Sequence, residues 1–478
     1  MTDVVLLISL FAALTAMVNW RAGISVMLVV GVLQDALRKL TPGAPGYFLL
    51  WAAAIFGVVS VAAILKGAFR QSRGLTLGDK GVKLAWSAYL LMVLAQALNA
   101  WTRYGSLALA TLGIVFYLAP VVALIVGLAY LRSERHLFQF LKAYVWVMLP
   151  VGLSIYLSVD YADAWPVLRD VGTFTGTELL IFDLGAVLKS HPGFMRTGEI
   201  AGWHAATVAC FLIMLAHRKP TTFVKVTVAV LVLLLMGAIS LTGRRKMLML
   251  VSLFLVMQWA LLGAFRQLRI KKLIPILLLG LVGSFALTLL DAPDKPAGRS
   301  GLYAQRGGTV FEDSWGRIQL AGILLQASYD RSGGIGLGAG AASQGARFVG
   351  VDSGASGAAE AGLGKIVVEL GVPGALVIGL LLVALTRRLL QALGILAKVD
   401  PPRLYYAASF VAILVANMVS FTVSSLVYGD SFVLIMLGLI AGFVFALCNA
   451  GIAASRQGVA SKQAGGEFRR PAMHPVRR

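Results

Sequence analysis

Cysteine, histidine and acidic residues are all scarce in this chain of 478 residues. Of the two cysteines, Cys210 and Cys448, both fall inside apolar runs, so a framework of disulfide bonds is not expected. The five histidines have no spacing typical of a metal site, such as H-x-x-x-H, and no metal is predicted. The sequence therefore has the character of neither a disulfide-rich nor a metal-binding protein.

Charge of either sign is also rare, at 13% of residues, whereas 59% of residues are hydrophobic. A water-soluble fold could not bury so much apolar surface, and this excludes the soluble classes. A secretory signal peptide begins with a basic region, but the N-terminus MTDVVLLISL carries Asp3 instead. The first apolar run is therefore expected to remain in the protein as a membrane span.

Long apolar runs recur along most of the sequence and predict an all-α polytopic membrane protein. A helix needs about 20 residues to cross the hydrocarbon core, and the runs number about thirteen. They lie at 3–19, 22–37, 47–65, 84–100, 105–131, 137–159, 200–217, 222–241, 247–264, 273–290, 365–386, 404–425 and 431–452.

The 42 basic residues predict how these spans are oriented. When alternate connections are assigned to the cytoplasm, nearly all of the net charge of +21 falls on that side, as the positive-inside rule requires. The N-terminus is then periplasmic and the C-terminus cytoplasmic in a bacterial inner membrane. The basic tail 453–478 is expected to be disordered and attracted to anionic lipid headgroups. Membrane lipids, and not nucleic acid, are the partners that this charge predicts.

Three substantial external segments follow from this orientation: residues 160–199, the turn TGRRK at 242–246, and a polar loop at 291–364. The loop divides the chain into ten spans within 1–290 and three within 365–452. Its stretch DSWGRIQLAGILLQ is typical of an amphipathic helix capped by Asp313 or Ser314. A loop of this length is not needed as a connection, so we expect it to form half of a working site.

Basic residues at an external helix end are unusual, yet Arg244, Arg245 and Lys246 stand there together. One interpretation is that they reach lipid phosphates at the interface. The other is a clamp for a diphosphate, because a guanidinium matches two phosphate oxygens at once.

Two further polar groups border the external segments. Arg196 precedes the span at 200–217, and Glu199 lies three residues later, where the two could form a local ion pair. Glu360 and Glu369 flank the start of the span at 365–386. A carboxylate at this boundary could be an ion-pair partner of an arginine or a general base.

These pieces, in this order, resemble the O-antigen ligase and polymerase superfamily of bacterial envelope membrane proteins. The resemblance covers about residues 190–390. It is carried by R-x-G before a span, SLTGRRKMLML with its Arg-x-x-x-Leu spacing, W-x-R followed by G-x-G in the external loop, and E-L-G-V-P-G opening the next span. The residues are Arg196, Gly198, Arg244, Leu248, Trp315, Arg317, Gly336, Gly338 and Glu369–Gly374.

The resemblance implies a fold like that of the C-type glycosyltransferases and an inverting, metal-independent transfer without a cofactor. Donor and acceptor would be oligosaccharides linked to polyprenyl diphosphate, and other polysaccharide assembly and export proteins could be partners. The diphosphate would be bound by Arg196, Arg244, Arg245 and Arg317. Further possible substrate-binding residues are Glu199, Lys246, Arg299, Arg306, Arg347 and Glu369.

The branch of the family is indicated by Glu360. Ligases of this family have a histidine nine residues before the glutamate of the E-L-G run, and here that position is Glu360. This departure favours a polysaccharide polymerase with Glu360 as the catalytic base. The alternatives are an O-antigen ligase acting on lipid A core, a relative that glycosylates proteins, and a flippase for lipid-linked oligosaccharides. A transporter would place its polar groups near mid-membrane, whereas here they gather at helix ends.

Overall fold

Apolar runs of this length form helices because a backbone in hydrocarbon must satisfy its own polar groups. The computed structural model describes residues 2–69, 80–175, 181–183, 186–218, 221–265, 303, 312–351 and 360–466. Its helices are α1 Thr2–Val18, α2 Trp20–Leu40, α3 Trp51–Leu65, α4 Lys80–Tyr104, α5 Leu107–Tyr130, α6 Glu134–Tyr161, α7 Val171–Thr175, α8 Gly198–Arg218, α9 Thr222–Leu241, α10 Arg245–Ala264, α11 Glu312–Ser332, α12 Gly362–Val399, α13 Pro401–Val423 and α14 Ser431–Gly466.

Short elements connect several of these helices. The 3₁₀ turns are Gly46–Leu50, Pro166–Leu168, Gln344–Val349 and Leu426–Gly429, and the strands are β1 Ile181–Asp183 and β2 Ala186–Leu188. The strands pair antiparallel with Ile181 opposite Leu188. This hairpin lies within residues 160–199, the segment that the sequence predicts to be external. One pair of three-residue strands leaves the predicted helical architecture in place.

Eleven helices within the described part of the chain are long and apolar enough to cross a membrane. They confirm a polytopic membrane protein. The first predicted span, at 3–19, forms the shorter helix α1. The predicted span at 273–290 lies outside the described residues, so the total of about thirteen stays a prediction. The helix predicted around DSWGRIQLAGILLQ is α11, which extends from Glu312 to Ser332.

Two helices form the centre of the bundle. In α8, 78% of the residues in the most apolar stretch are buried, and in α14 the share is 83%. In α9 it is 17%, so most of that helix faces outward and is left for lipid to cover. Glu199 therefore sits at the beginning of one of the most enclosed helices.

Contacts between helix ends define the two ends of the bundle. The residues found together at each end are those that the charge distribution places on the same side of the membrane. At one end, Arg21 donates from Nε to the carbonyl of Tyr130 at 3.3 Å, and Arg403 lies 3.6 Å from Glu134. At the other end, Arg196 contacts Asp35 at 3.2 Å. The grouping of ends thus follows from the structure, whereas the assignment of one set to the periplasm stays a prediction.

Reporter fusions test this assignment. We expect a fusion ending after Gly350 to place its reporter in the periplasm and one ending after Val399 to place it in the cytoplasm, because α12 separates the two positions. Alkaline phosphatase, active only outside the cytoplasm, and a fluorescent protein that matures inside should give complementary readings. The same side for both fusions would overturn the orientation.

Candidate functional site

Glu199, Arg244, Lys246 and Ser424 meet at the end of the bundle where α8 and α10 begin and α13 ends. We refer to them as the Glu199 cluster. The ammonium of Lys246 lies 2.8 Å from Oε1 of Glu199 and donates to Oγ of Ser424 at 2.7 Å. Nη1 of Arg244 lies 3.7 Å from the same carboxylate oxygen. One carboxylate thus holds two cations at the beginning of α10.

One edge of the Arg244 guanidinium has no partner in the described part of the chain. Its Nε and Nη2 are buried and have no hydrogen-bond partner among the described residues. These two nitrogens lie side by side along one edge of the planar fork, the arrangement that binds two oxygens of a phosphate or carboxylate. Leaving buried donors unpaired costs about 1–3 kcal/mol, so the edge is poised for an anionic ligand.

The backbone around Arg244 is held by two hydroxyl groups. Thr242 Oγ1 accepts from the amide of Arg244 at 3.3 Å, and Ser190 Oγ donates to the carbonyl of Thr242 at 3.0 Å. Gly243 has φ of 67°, which a residue with a side chain rarely adopts. The segment before α8 thus positions the TGRRK turn, whose Thr242 and Gly243 are buried.

Asn417 of α13, seven residues before Ser424, holds the end of this helix through buried hydrogen bonds. Oδ1 of Asn417 accepts from Nε1 of Trp203 at 2.7 Å and from the hydroxyl of Tyr428 at 3.0 Å. These contacts join α8, α13 and the 3₁₀ turn before α14. Buried hydrogen bonds thus fix the end of α13, which precedes Ser424, against α8 and the 3₁₀ turn.

Glu360 lies beside this cluster. The amide of Ser425 donates to the Glu360 carbonyl at 2.6 Å, and Ser425 is the neighbour of the Lys246 partner Ser424. The Glu360 side chain is exposed, and among the described residues it forms no hydrogen bond or ion pair. The structure therefore holds the backbone of Glu360 at the turn that follows Ser424, and the carboxylate of Glu360 is open to solvent.

Arg196 is engaged differently from the other predicted ligands. Its Nη1 lies 3.2 Å from Asp35 and 2.6 Å from Asp430, and its amide donates to Asp35 at 3.0 Å. Burial opposes the charge on the guanidinium, but Asp430 and Asp35 outweigh that cost and raise the pKa of Arg196. The local ion pair considered for Arg196 and Glu199 is wrong, because Glu199 pairs with Lys246 and Arg244.

Among the remaining predicted residues, the structure describes the side chains of Glu369 and Arg245. Glu369 is buried in α12 and accepts hydrogen bonds from Tyr117 and Ala342. Arg245 is half-buried at the first position of α10. Arg317 belongs to α11 and Arg347 to the 3₁₀ turn Gln344–Val349, but their side chains lie outside the described part. Arg299 and Arg306 lie outside the described residues altogether.

Sequence reasoning missed Asp35 and Asp430 as partners of Arg196. A signal for Asp35 was present, because an acidic residue inside an apolar run is expensive and usually paired. Ser424 gave no comparable signal, since a serine at a helix end is common. A cavity of about 290 Å³ lies elsewhere, and its lining is mainly apolar: Gly322, Leu325, Gln326, Tyr329, Val367 and Val372. No charged side chain is among these lining residues, so the cavity is separate from the Glu199 cluster.

No protein-family model matches the sequence, and comparison with curated proteins found no significant match. The functional argument consequently depends on the residues and their geometry.

Proposed function

We propose that the protein is a polysaccharide polymerase. It would join oligosaccharide repeat units linked to polyprenyl diphosphate, at the periplasmic face of a bacterial inner membrane, by inverting glycosyl transfer. The observation that carries the proposal is the Nε–Nη2 edge of Arg244, which has no partner among the residues that the structure describes, together with the ammonium of Lys246 on the same carboxylate. The family resemblance adds the identity of the leaving group and the reaction class.

The diphosphate of the donor would receive the charge developed as its bond to the sugar breaks. Arg244 would bind two of its oxygens, and Lys246 would add positive charge from the same helix end. Preorganised cations stabilise a leaving group most when water is excluded, and here the cations are already held by Glu199. Arg245 stands next to them in the chain and would supply a further contact.

The attacking hydroxyl belongs to the acceptor sugar and must lose its proton. Glu360 would accept that proton, since its carboxylate is exposed and its backbone is tied to the turn beside Lys246. The new glycosidic bond forms as the bond to the diphosphate breaks, and the diphosphate departs with both electrons. A carboxylate at the position of the ligase histidine favours a polymerase over a ligase.

A flippase is the second candidate, and the observation that favours it is a break in α12. Gly371 there has φ of 73° and ψ of −179° inside the helix. Broken helices are typical of transporters, whose substrates bind at the unwound backbone. Here, however, the backbone groups at the break already have partners in the protein. The amides of Leu337 and Gly338 donate to the carbonyls of Val368 and Glu369, and the amide of Val372 donates to the carbonyl of Gly334. We therefore place the polymerase first.

Replacing Arg244 by alanine should weaken binding of undecaprenyl diphosphate while the protein stays folded. Loss of a bidentate charged contact is worth about 1.5–3 kcal/mol, or roughly 10- to 150-fold in Kd. Glu199 keeps Lys246 as its partner in this variant, so no buried carboxylate is left unpaired. Binding is measured in nanodiscs by calorimetry, and thermal unfolding is recorded beside it.

Arg169→Ala is the matched control, because that external arginine donates to the carbonyl of Ala162 and lies outside the Glu199 cluster. A Kd for Arg244→Ala within about twofold of the parent would reject the diphosphate site, given the size of a charged contact. Reconstitution with lipid-linked repeat units then separates the functions. A ladder of products that differ by one repeat unit indicates a polymerase. A single transfer of glycan to lipid A core indicates a ligase. Movement of the lipid-linked oligosaccharide across the membrane without a new bond indicates a flippase.

A further inference from the structure

Residues 334–343 leave the end of α11 and run back among the helices without forming one. We call them the re-entrant segment. Gly338 and Gly340 have φ of 108° and 89°, and both are packed where a side chain would meet backbone atoms of α4 or α5. A non-helical backbone at this place is tolerated only if protein groups satisfy it.

The break in α12 supplies those groups. The amide of Leu337 donates to the carbonyl of Val368 at 2.7 Å, and the amide of Gly338 donates to that of Glu369 at 3.2 Å. The amide of Val372, beyond the break, donates to the carbonyl of Gly334 at 2.8 Å. The re-entrant segment therefore bridges the two parts of α12, on either side of Gly371.

Side chains of α4 and α5 complete the connection. The side chain of Gln96 donates from Nε2 to the carbonyl of Ile335 at 2.8 Å. The backbone carbonyl of Gln96 accepts from the amide of Ala339 at 2.9 Å. Tyr117 donates from its hydroxyl to Oε2 of Glu369 at 2.6 Å. The amide of Ala342 donates to Oε1 of Glu369 at 3.0 Å. Glu369 is only 1% exposed, so both of its oxygens are engaged away from solvent.

We propose that Glu369 is a positioning residue that secures the re-entrant segment and thereby fixes the first part of α12, Gly362–Leu370, and the adjacent Glu360. That short helical piece is joined to the rest of α12 through Gly371, whose backbone conformation is not helical. Its first turn lies against Phe421 of α13, and its last turn is held by the hydrogen bonds to the re-entrant segment. Glu369 joins that segment to α5. The effect on catalysis rests on the proposed function, but the structural role does not.

Two substitutions at Glu369 separate positioning from a role for the charge. Glu369→Gln removes the charge but keeps the length: its oxygen can accept from Ala342, and its amide can donate to the Tyr117 oxygen. Glu369→Asp keeps the charge but is one methylene shorter and loses reach. If Glu369 acts by positioning, Glu369→Gln should preserve the rate of polymer elongation and Glu369→Asp should lower it. A substrate-binding or catalytic carboxylate predicts the reverse order.

A cysteine at Ala342 reports on the segment without any activity assay. Both native cysteines are buried, so they give little background labelling, and Ala342 itself is half-buried. In the Ala342→Cys background, Glu369→Asp should speed maleimide labelling roughly 5- to 150-fold, the increase in the open population when a buried hydrogen bond is lost. Glu369→Gln should leave labelling within about twofold, because both hydrogen bonds are replaced.

Tyr117→Phe provides a milder variant that should also speed labelling, in case Glu369→Asp does not fold. Tyr144→Phe is its matched control, since the Tyr144 hydroxyl is buried against His204 in α8. Binding of undecaprenyl diphosphate should be unchanged in all these variants, while kcat falls in Glu369→Asp and Tyr117→Phe. Equal labelling of the Glu369→Asp, Tyr117→Phe and parental proteins would overturn the proposal. A protein that shows the labelling pattern but forms no polymer would reject the proposed function and retain the positioning role.

Discussion

Substituting Glu360 by glutamine is expected to lower the rate of polymer elongation by roughly 10²–10⁴, the usual contribution of a positioned general base. A sugar hydroxyl is a weak nucleophile, and glutamine keeps the shape of glutamate while removing its basic site. The Glu360 side chain is exposed, so no buried interaction is lost and the fold should be unaffected. Elongation is measured on the reconstituted protein with lipid-linked repeat units.

Two accompanying measurements make this result specific. Binding of undecaprenyl diphosphate should be unchanged in Glu360→Gln, because the diphosphate is assigned to the Glu199 cluster. Glu134→Gln is the matched control: Glu134 is exposed, pairs with Arg403 at the opposite end of the bundle, and should tolerate the change. A Glu360→Gln variant that elongates at a near-normal rate would exclude Glu360 as the base. Deprotonation by a group of the substrate itself would then be the mechanism to examine.

The second large effect is expected at Arg196, on stability. Asp35 and Asp430 have side chains only 2% and 1% exposed, and Arg196 is the cation that both of them contact. Arg196→Ala would remove the ion-pair partner of both buried carboxylates, although Arg38 and Lys39 still act electrostatically on Asp35. Losing one partner of a buried ion pair costs about 3–5 kcal/mol. We expect a marked fall in the unfolding temperature in detergent and a lower yield of folded protein.

A charge-free version of this triad provides the control. The triple variant Asp35→Asn, Arg196→Met, Asp430→Asn removes all three charges and should regain much of the lost stability, because the desolvation cost disappears with the charges. If the triple variant also binds undecaprenyl diphosphate normally, Arg196 serves the fold. The opposite pattern, with Arg196→Ala stable but unable to bind, would support the diphosphate role that the sequence predicts.

The external arginines look alike in the sequence, but the structure gives Arg196 and Arg244 different surroundings. Arg196 has two carboxylates within 3.2 Å, whereas Arg244 has a single one at 3.7 Å and an edge without a described partner. A guanidinium already neutralised by two acids attracts an anion weakly, while one with spare donors binds it well. This comparison makes Arg244, and not Arg196, the first residue to test for the diphosphate.

The sequence alone determined the membrane class, the helical architecture and most helix positions. Hydropathy and length are local properties, and the rise of about 1.5 Å per residue converts a run such as 222–241 directly into a span. The distribution of Lys and Arg also placed Arg21 and Arg403 at one end and Arg196 at the other, as the structure does. The sequence also singled out Arg244 and Lys246 by their place at a predicted external helix end, Glu199 by its spacing from Arg196, and Glu360 by its spacing from Glu369.

Only the tertiary structure decided which of these residues contact one another. Arg196 meets Asp35, 161 residues earlier in the chain, and Lys246 meets Ser424, 178 residues later. Such contacts depend on how each helix is rotated about its axis and on which helices are neighbours. The spacing of apolar residues along one helix determines neither. The glycine-rich run GGIGLGAG at 333–340, most of which belongs to the re-entrant segment, illustrates the same limit. Its glycines predict turns in the backbone. Its burial against Gln96 of α4 and against the break in α12 depends on how helices distant in the sequence pack together.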